Sequence, residues 1–158
     1  MKALTRVLLE SPATGVKIIP FHEDLDDAYD WYDQAVAVFK ECRIGVNRDK
    51  DLSLIALNDE EIVGAVFSSS SLEQEGESDY VEYSFDAAVK PQFQQRGIGT
   101  ALVSHAIRLA SEEGGEFPVK VRVWVVNPSM ERVLERLGFS DGDEERHEGG
   151  SCHMEKWL

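Results

Sequence analysis

Basic residues are scarce in this 158-residue chain: 16 Lys and Arg stand against 30 Asp and Glu, a formal charge of −14 at pH 7. That deficit argues against sequence-independent nucleic-acid binding, which needs a basic footprint to displace phosphate counterions. It is compatible with a cationic partner, but the plainer reading is solubility or a salty habitat. Cysteine is scarcer still. Cys42 and Cys152 are too few for a disulfide framework, and neither sits in a CxxC or zinc-like spacing. Cys42 falls on the apolar face of a predicted helix and reads as a buried free thiol. Long hydrophobic runs are missing as well. No stretch approaches the roughly 20 apolar residues of a membrane span, and Arg6 interrupts the apolar residues of MKALTRVLLESPA that a signal peptide would need. The expectation is a cytoplasmic protein with no membrane or nucleic-acid partner and no metal.

The length suits one domain with a core of its own, and a hydrophobic content of 42% with 9% aromatics is ordinary for a globular chain. Residues 1–14 read as a leader and 15–158 as a single domain. GVKIIPF (Gly15 to Phe21) reads as a strand. Leu25, Ala28, Tyr32, Ala35, Phe39 and Cys42 recur at helical steps, with Asp24 as N-cap and Gly45 as stop. LSLIAL and IVGAVFSS flank Asn58-Asp59-Glu60-Glu61 as a hairpin, and the polar stretch Ser68 to Asp79 reads as a loop. Tyr80 to Val89 is a long strand. A helix follows from about Gly99 to Glu113, then the strand Val119 to Val126, the short helix NPSMERVLERL, and two final strands around Gly149-Gly150. The order βα, hairpin, βαβα, β pair gives a mixed sheet with helices on its faces.

One stretch works against its own secondary structure. QQRGIGT (Gln94 to Thr100) places two glycines where an amphipathic helix begins, although glycine costs roughly 1 kcal/mol against alanine inside a helix. A helix N-terminus presents unpaired N–H groups and the positive end of the dipole, so bare glycines there admit the oxygens of a phosphate to the amides. Arg96 adds positive charge at the mouth. A tight strand-to-helix turn with close packing would also select glycine. The pattern is neither a Rossmann fingerprint, since Leu102 stands where its third glycine belongs, nor a Walker A loop, which needs Gly-Lys-Ser/Thr.

The run AAVKPQF, then QQRGIG, then VVNPSMERVLERLGF some thirty residues later, resembles the GNAT superfamily of acyl-CoA-dependent N-acetyltransferases. The family loop Gln/Arg-x-x-Gly-x-Gly/Ala is matched by Gln94, Gly97 and Gly99, and its second region by Asn127, Leu137, Gly138 and Phe139. HMEKWL resembles the family's last strand, so the likeness runs from about Gly15 to the C-terminus. It implies an α/β (α+β in some schemes) fold, with a mostly antiparallel central sheet of about six to seven strands flanked by helices on both faces. It also implies acetyl-CoA as co-substrate, held by Gln94, Gln95, Arg96, Gly97, Ile98, Gly99, Thr100 and Asn127, with the pantetheine arm against backbone at Ala88 and Val89. The reaction implied is acetyl transfer to a primary amine, of a small molecule or a protein, by direct attack in a ternary complex. Asn127 followed by Pro128 is also a good N-cap and N1 pair without any ligand.

Two positions depart from the family. Some members carry their basic glutamate where Tyr83 stands, so Glu82, Tyr83 and Asp86 are candidates from chemistry alone: an alkylamine with a pKa near 10.4 must lose a proton before it attacks. Many members carry a proton-donating tyrosine where this chain has Leu134. A thiol of pKa near 8.5 leaves tolerably as thiolate. The alternative is a catalytically silent acyl-CoA-binding or regulatory module of the same fold. Monomer and homodimer are both open, and the acceptor is expected to be cationic.

Overall fold

The computed structural model describes residues 8–11, 15–21, 28–47, 49–125, 128–142 and 152–158. Asp24, Leu25, Arg6, Val126, Asn127 and the Gly149-Gly150 turn lie outside them. The elements are β1 (Leu8–Ser11), β2 (Val16–Pro20), α1 (Ala28–Glu41), β3 (Asp51–Asn58), β4 (Glu61–Glu75), β5 (Ser78–Val89), α2 (Ile98–Glu113), β6 (Val119–Val125), α3 (Pro128–Arg136), β7 (Ser140–Asp141) and β8 (Cys152–Trp157). The strands form one eight-stranded sheet in the order β1-β2-β3-β4-β5-β6-β8-β7. Every neighbouring pair is antiparallel except β5 and β6, which run parallel because α2 carries the chain back between them.

Alternation along the strands divides the core in two. Tyr83, Phe85, Ala87 and Val89 of β5 and Val119, Val121, Val123 and Val125 of β6 pack with Ile98, Leu102, Val103, Ala106 and Ala110 of α2 and with Met130 and Leu134 of α3. Ile55, Ile62, Ala65, Phe67 and Ala88 pack with Ala35, Val38 and Phe39 of α1 on the opposite face. Helices therefore cover both faces, and Asp86 to Val89 are buried without alternation because α1 and α2 sandwich them.

Two sequence expectations change. The sheet starts inside the leader, where Leu8 to Ser11 pair with β2 as an edge strand. With that strand and the two-residue β7 at its edges the sheet has eight strands, in the mostly antiparallel, helix-flanked arrangement that the resemblance implies. The polar stretch Ser68 to Asp79 is not a loop: β4 and β5 pair without a register shift from Gly64↔Val89 to Glu75↔Ser78, and the turn is only Gly76-Glu77. Serine and glutamate are poor strand formers by composition. They are carried here by a partner strand that supplies Tyr80, Val81 and Tyr83.

Candidate active site

The site begins where a ladder stops. β5 and β6 are paired from Val81↔Val119 to Phe85↔Val123. β5 continues to Val89 along β4, and β6 to Val125 along β8. The two parallel strands thus separate beyond Phe85, each still held on its outer side. The Lys90 N–H donates to the Val63 carbonyl at 2.8 Å, and at the other end of β5 the Val81 N–H donates to the Pro118 carbonyl at 2.9 Å. Strand alternation then turns the peptide groups of even-numbered β5 residues, Ala88 among them, to β4, and those of Ala87 and Val89 into the opening.

The Val89 carbonyl is already engaged. The Gln94 side-chain amide donates to it at 3.0 Å, and the Cys42 thiol at 3.1 Å. Burial pushes the Cys42 thiol up from its usual range, the Glu41 charge adds to that, and the bond to Val89 opposes both. Cys42, just past α1, is a free thiol as the sequence suggests, but it is half-buried at the cleft rather than enclosed in the core.

After one 3-10 turn at Pro91–Phe93, the loop carries positive φ at Gln95 (63°) and Gly97 (85°) before α2 starts. Arg96 stacks on the Phe93 ring, 5.1 Å from its centroid. The first amide of α2 to find a carbonyl is that of Ala101, on Gly97 at 3.0 Å. The Gly99 and Thr100 N–H groups have no partner among the described residues, and no side chain caps the helix.

The two glycines have different reasons to be there. Gly97 needs glycine for its left-handed backbone. Gly99 does not: a Cβ there would meet Met130 Cε at 3.7 Å and Val89 Cγ2 at 3.9 Å, ordinary van der Waals distances. Close packing does not account for Gly99, and the turn geometry accounts only for Gly97.

Loop, slot and helix ends share one cleft. Its walls are Cys42 and Ile44, Ala87, Ala88 and Val89, Gln94, Gln95 and Gly97, Gly99 and Thr100, and Ser129, Met130, Arg132, Val133 and Arg136 of α3. Among the described residues no carboxylate lines it, on a chain of charge −14. Of the expected cofactor residues, Ala88, Val89, Gln94, Gln95, Gly97, Gly99 and Thr100 converge there. Arg96 is exposed beside the loop on Phe93, the Ile98 side chain is buried in the core, and Asn127 lies outside the described residues. Arg132 and Arg136 escaped the sequence reading, although Ser129, Arg132, Val133 and Arg136 follow helical steps that put them on one face of α3. Cys42 and Ile44 had no sequence signal; tertiary packing alone brings them in.

None of the three candidate catalytic side chains lines the cleft. Glu82 pairs with Arg122 (3.4 Å), which also pairs with Glu155 (3.0 Å). The Tyr83 hydroxyl donates to Glu113 at 3.4 Å beneath the end of α2. Burial first, then the Glu113 charge and that hydrogen bond, raise its pKa. Asp86 is the first β5 residue past the last β6 pair, but its carboxylate is bound to Lys50 at 2.8 Å in a buried ion pair. Leu134 is fully buried in the α2/α3 core, behind the cleft wall formed by Met130 and Val133.

Solved structures resemble the fold over most of the chain. The GNAT domain of S. lividans PAT is 18% identical with a TM-score of 0.62, covering 90% of this chain and 90% of that one. Arabidopsis thaliana NAA60 in complex with acetyl-CoA is 17% identical with a TM-score of 0.63, covering 90% and 98%. An aminoglycoside acetyltransferase from an uncultured soil metagenomic sample is 18% identical with a TM-score of 0.60, covering 84% and 93%. No curated protein matches the sequence. The family model for the Acetyltransferase (GNAT) family matches residues 18–139, more than half the chain and all of the cleft's loop and slot, so this chain belongs to the GNAT family of acetyltransferases.

Proposed function

We propose that the chain transfers an acetyl group from acetyl-CoA to a primary amine by direct attack in a ternary complex, an acyltransferase of groups other than aminoacyl. The observation that carries this reading is the cleft itself: a pocket on an anionic protein that holds Arg132 and Arg136 and, among the described residues, no carboxylate, and that joins the N-terminal amides of α2 to a parted β5/β6 pair. The Gly99 and Thr100 amides, at the positive end of α2, are placed for the pyrophosphate of coenzyme A. Arg132 and Arg136 add charge-assisted donors for its phosphates. Between the strands, the Val89 N–H faces the opening and is available to the thioester oxygen, an oxyanion role that requires no particular side chain. The similar NAA60 structure contains acetyl-CoA, which supports the same co-substrate here.

In the step proposed, the amine lone pair attacks the thioester carbon, the C–S bond breaks, and coenzyme A leaves as thiolate. The amine proton passes to water in the open slot. Acetyl-CoA-dependent thiol release across a panel of amines tests the reading. Tight acetyl-CoA binding with no release for any amine would favour a silent acyl-CoA-binding module, the reading that Leu134 supports by leaving no proton donor at its position.

A further inference from the structure

Past Ser68, β4 is a sheet edge. β3 accompanies it only from Asn58↔Glu61 to Asp51↔Ser68, whereas β4 runs on to Glu75 with β5 along its other side. The alternation established on β5 turns the peptide groups of Ser70, Leu72 and Gln74 outward. The Ser53 hydroxyl donating to the Val66 carbonyl at 3.1 Å, on that same outer side, agrees with it. Among the described residues nothing bonds to those outward groups. About 20 Å of strand, at 3.3–3.4 Å per residue, therefore presents three unpaired N–H and three unpaired C=O groups.

Proteins usually guard such an edge with lysine, proline, a bulge or a cover. Ser69 to Glu75 contains neither lysine nor proline, its ladder to β5 has no bulge, and Leu72 is 62% exposed. Its charges are of one sign. Glu73 and Glu75 lie on the edge, Glu77 and Asp79 lie at the turn and the start of β5, and no Lys or Arg occurs between Ser68 and Val89. A second copy docking here would bring the same glutamates against each other, whereas a basic strand would neutralise them.

We propose that this edge docks the acceptor, an extended basic polypeptide segment that adds to β4 as a further strand and offers its amine to the slot; the proposal rests on the acyltransferase reading above. Main-chain hydrogen bonds supply affinity, and Glu73 and Glu75 supply the charge preference. The added strand lies in the row that β3 occupies from Asp51 onward. It must leave the sheet there, beside Lys50, whose partner Asp86 is the first β5 residue past the β6 pairing, so that the departing segment crosses β4 and β5 to bring its amine to the slot.

The test uses a fluorescent decapeptide of alternating lysine and threonine, its glutamate counterpart, and n-butylamine. Leu72→Pro removes one outward N–H that the sheet does not use, the kind of position where an edge strand tolerates proline. Glu73→Lys with Glu75→Lys reverses the charge and keeps the backbone, which covers the case of a proline variant that fails to fold. Both variants should bind acetyl-CoA and turn over n-butylamine as wild type does. Each should raise the lysine peptide's KM, and its dissociation constant by anisotropy, at least tenfold, and the charge reversal should admit the glutamate peptide. An unmoved peptide affinity in the folded variants overturns the proposal. So does a dimer that Leu72→Pro converts to monomer in sedimentation, because the edge would then belong to a second copy. Loss of acetyl-CoA binding in wild type would instead sink the acyltransferase reading, and anisotropy would still report on the edge.

Discussion

Gln94 reaches back across five residues to bind the Val89 carbonyl at 3.0 Å. The last residue of β5 and the first of the glycine loop are thereby held as one unit. The glutamine that matches the family's loop pattern acts here on the protein's own backbone, tying the slot to the loop that leads into α2.

Gln94→Ala should therefore weaken acetyl-CoA binding by loosening that unit. A net hydrogen bond of about 1 kcal/mol corresponds to roughly fivefold in dissociation constant, readable by calorimetry. Unchanged affinity would mean that the loop is held without it.

Gly97 and Gly99 should respond in opposite ways. Gly97→Ala forces a side chain onto φ 85°, costing about 1–2 kcal/mol and lowering Tm. Gly99→Ala meets only ordinary contacts and gains helix propensity, up to about 1 kcal/mol, so Tm should rise while coenzyme A affinity falls. Gly99→Glu should fold and bind hardly at all. A Gly99→Ala protein that loses stability would restore the packing explanation for that glycine.

That contrast also shows how far the residues alone led. The helix penalty at Gly97 and Gly99 was legible because it violates a local rule, and the order of loop, Asn127 and Leu-Gly-Phe identified the family. What propensity could not show was set by partners distant in sequence. The serine-rich half of β4 is a strand only because β5 lies beside it. Tyr83 looked available beside Glu82, yet the sheet turns it beneath α2 onto Glu113. Arg132 and Arg136 fall on one helical face, but nothing in the sequence says that this face meets the glycine loop. In each case tertiary pairing decides what local sequence does not.

Asp86 is expected to be structural. Its carboxylate is committed to Lys50 at 2.8 Å with both side chains largely buried. Asp86→Leu alone leaves a buried ammonium and should cost about 3–5 kcal/mol, whereas Asp86→Leu with Lys50→Met should recover most of it. The double variant should keep kcat for n-butylamine within about threefold. A loss of about a hundredfold or more, the range of a general base, in a stably folded double variant would make Asp86 the proton acceptor.

Leu134 bears on how the thiolate leaves. It is fully buried in the α2/α3 core, with Met130 and Val133 between it and the cleft. Tyr83 cannot substitute, because it sits six strand residues upstream of Val89, about 20 Å away, with its hydroxyl on Glu113. With neither Leu134 nor Tyr83 supplying a proton, the rate should rise with pH as the amine deprotonates and then level off, without a falling limb from an ionising phenol. Leu134→Tyr would overpack the core by about 1–3 kcal/mol and bury a hydroxyl without a partner for a similar amount. Its Tm should fall and its kcat should not rise. A tenfold gain in kcat, worth about 1.4 kcal/mol of barrier, together with a new falling limb at high pH, would show instead that the phenol had reached the thiolate and that the wild-type enzyme works without an acid it could have used.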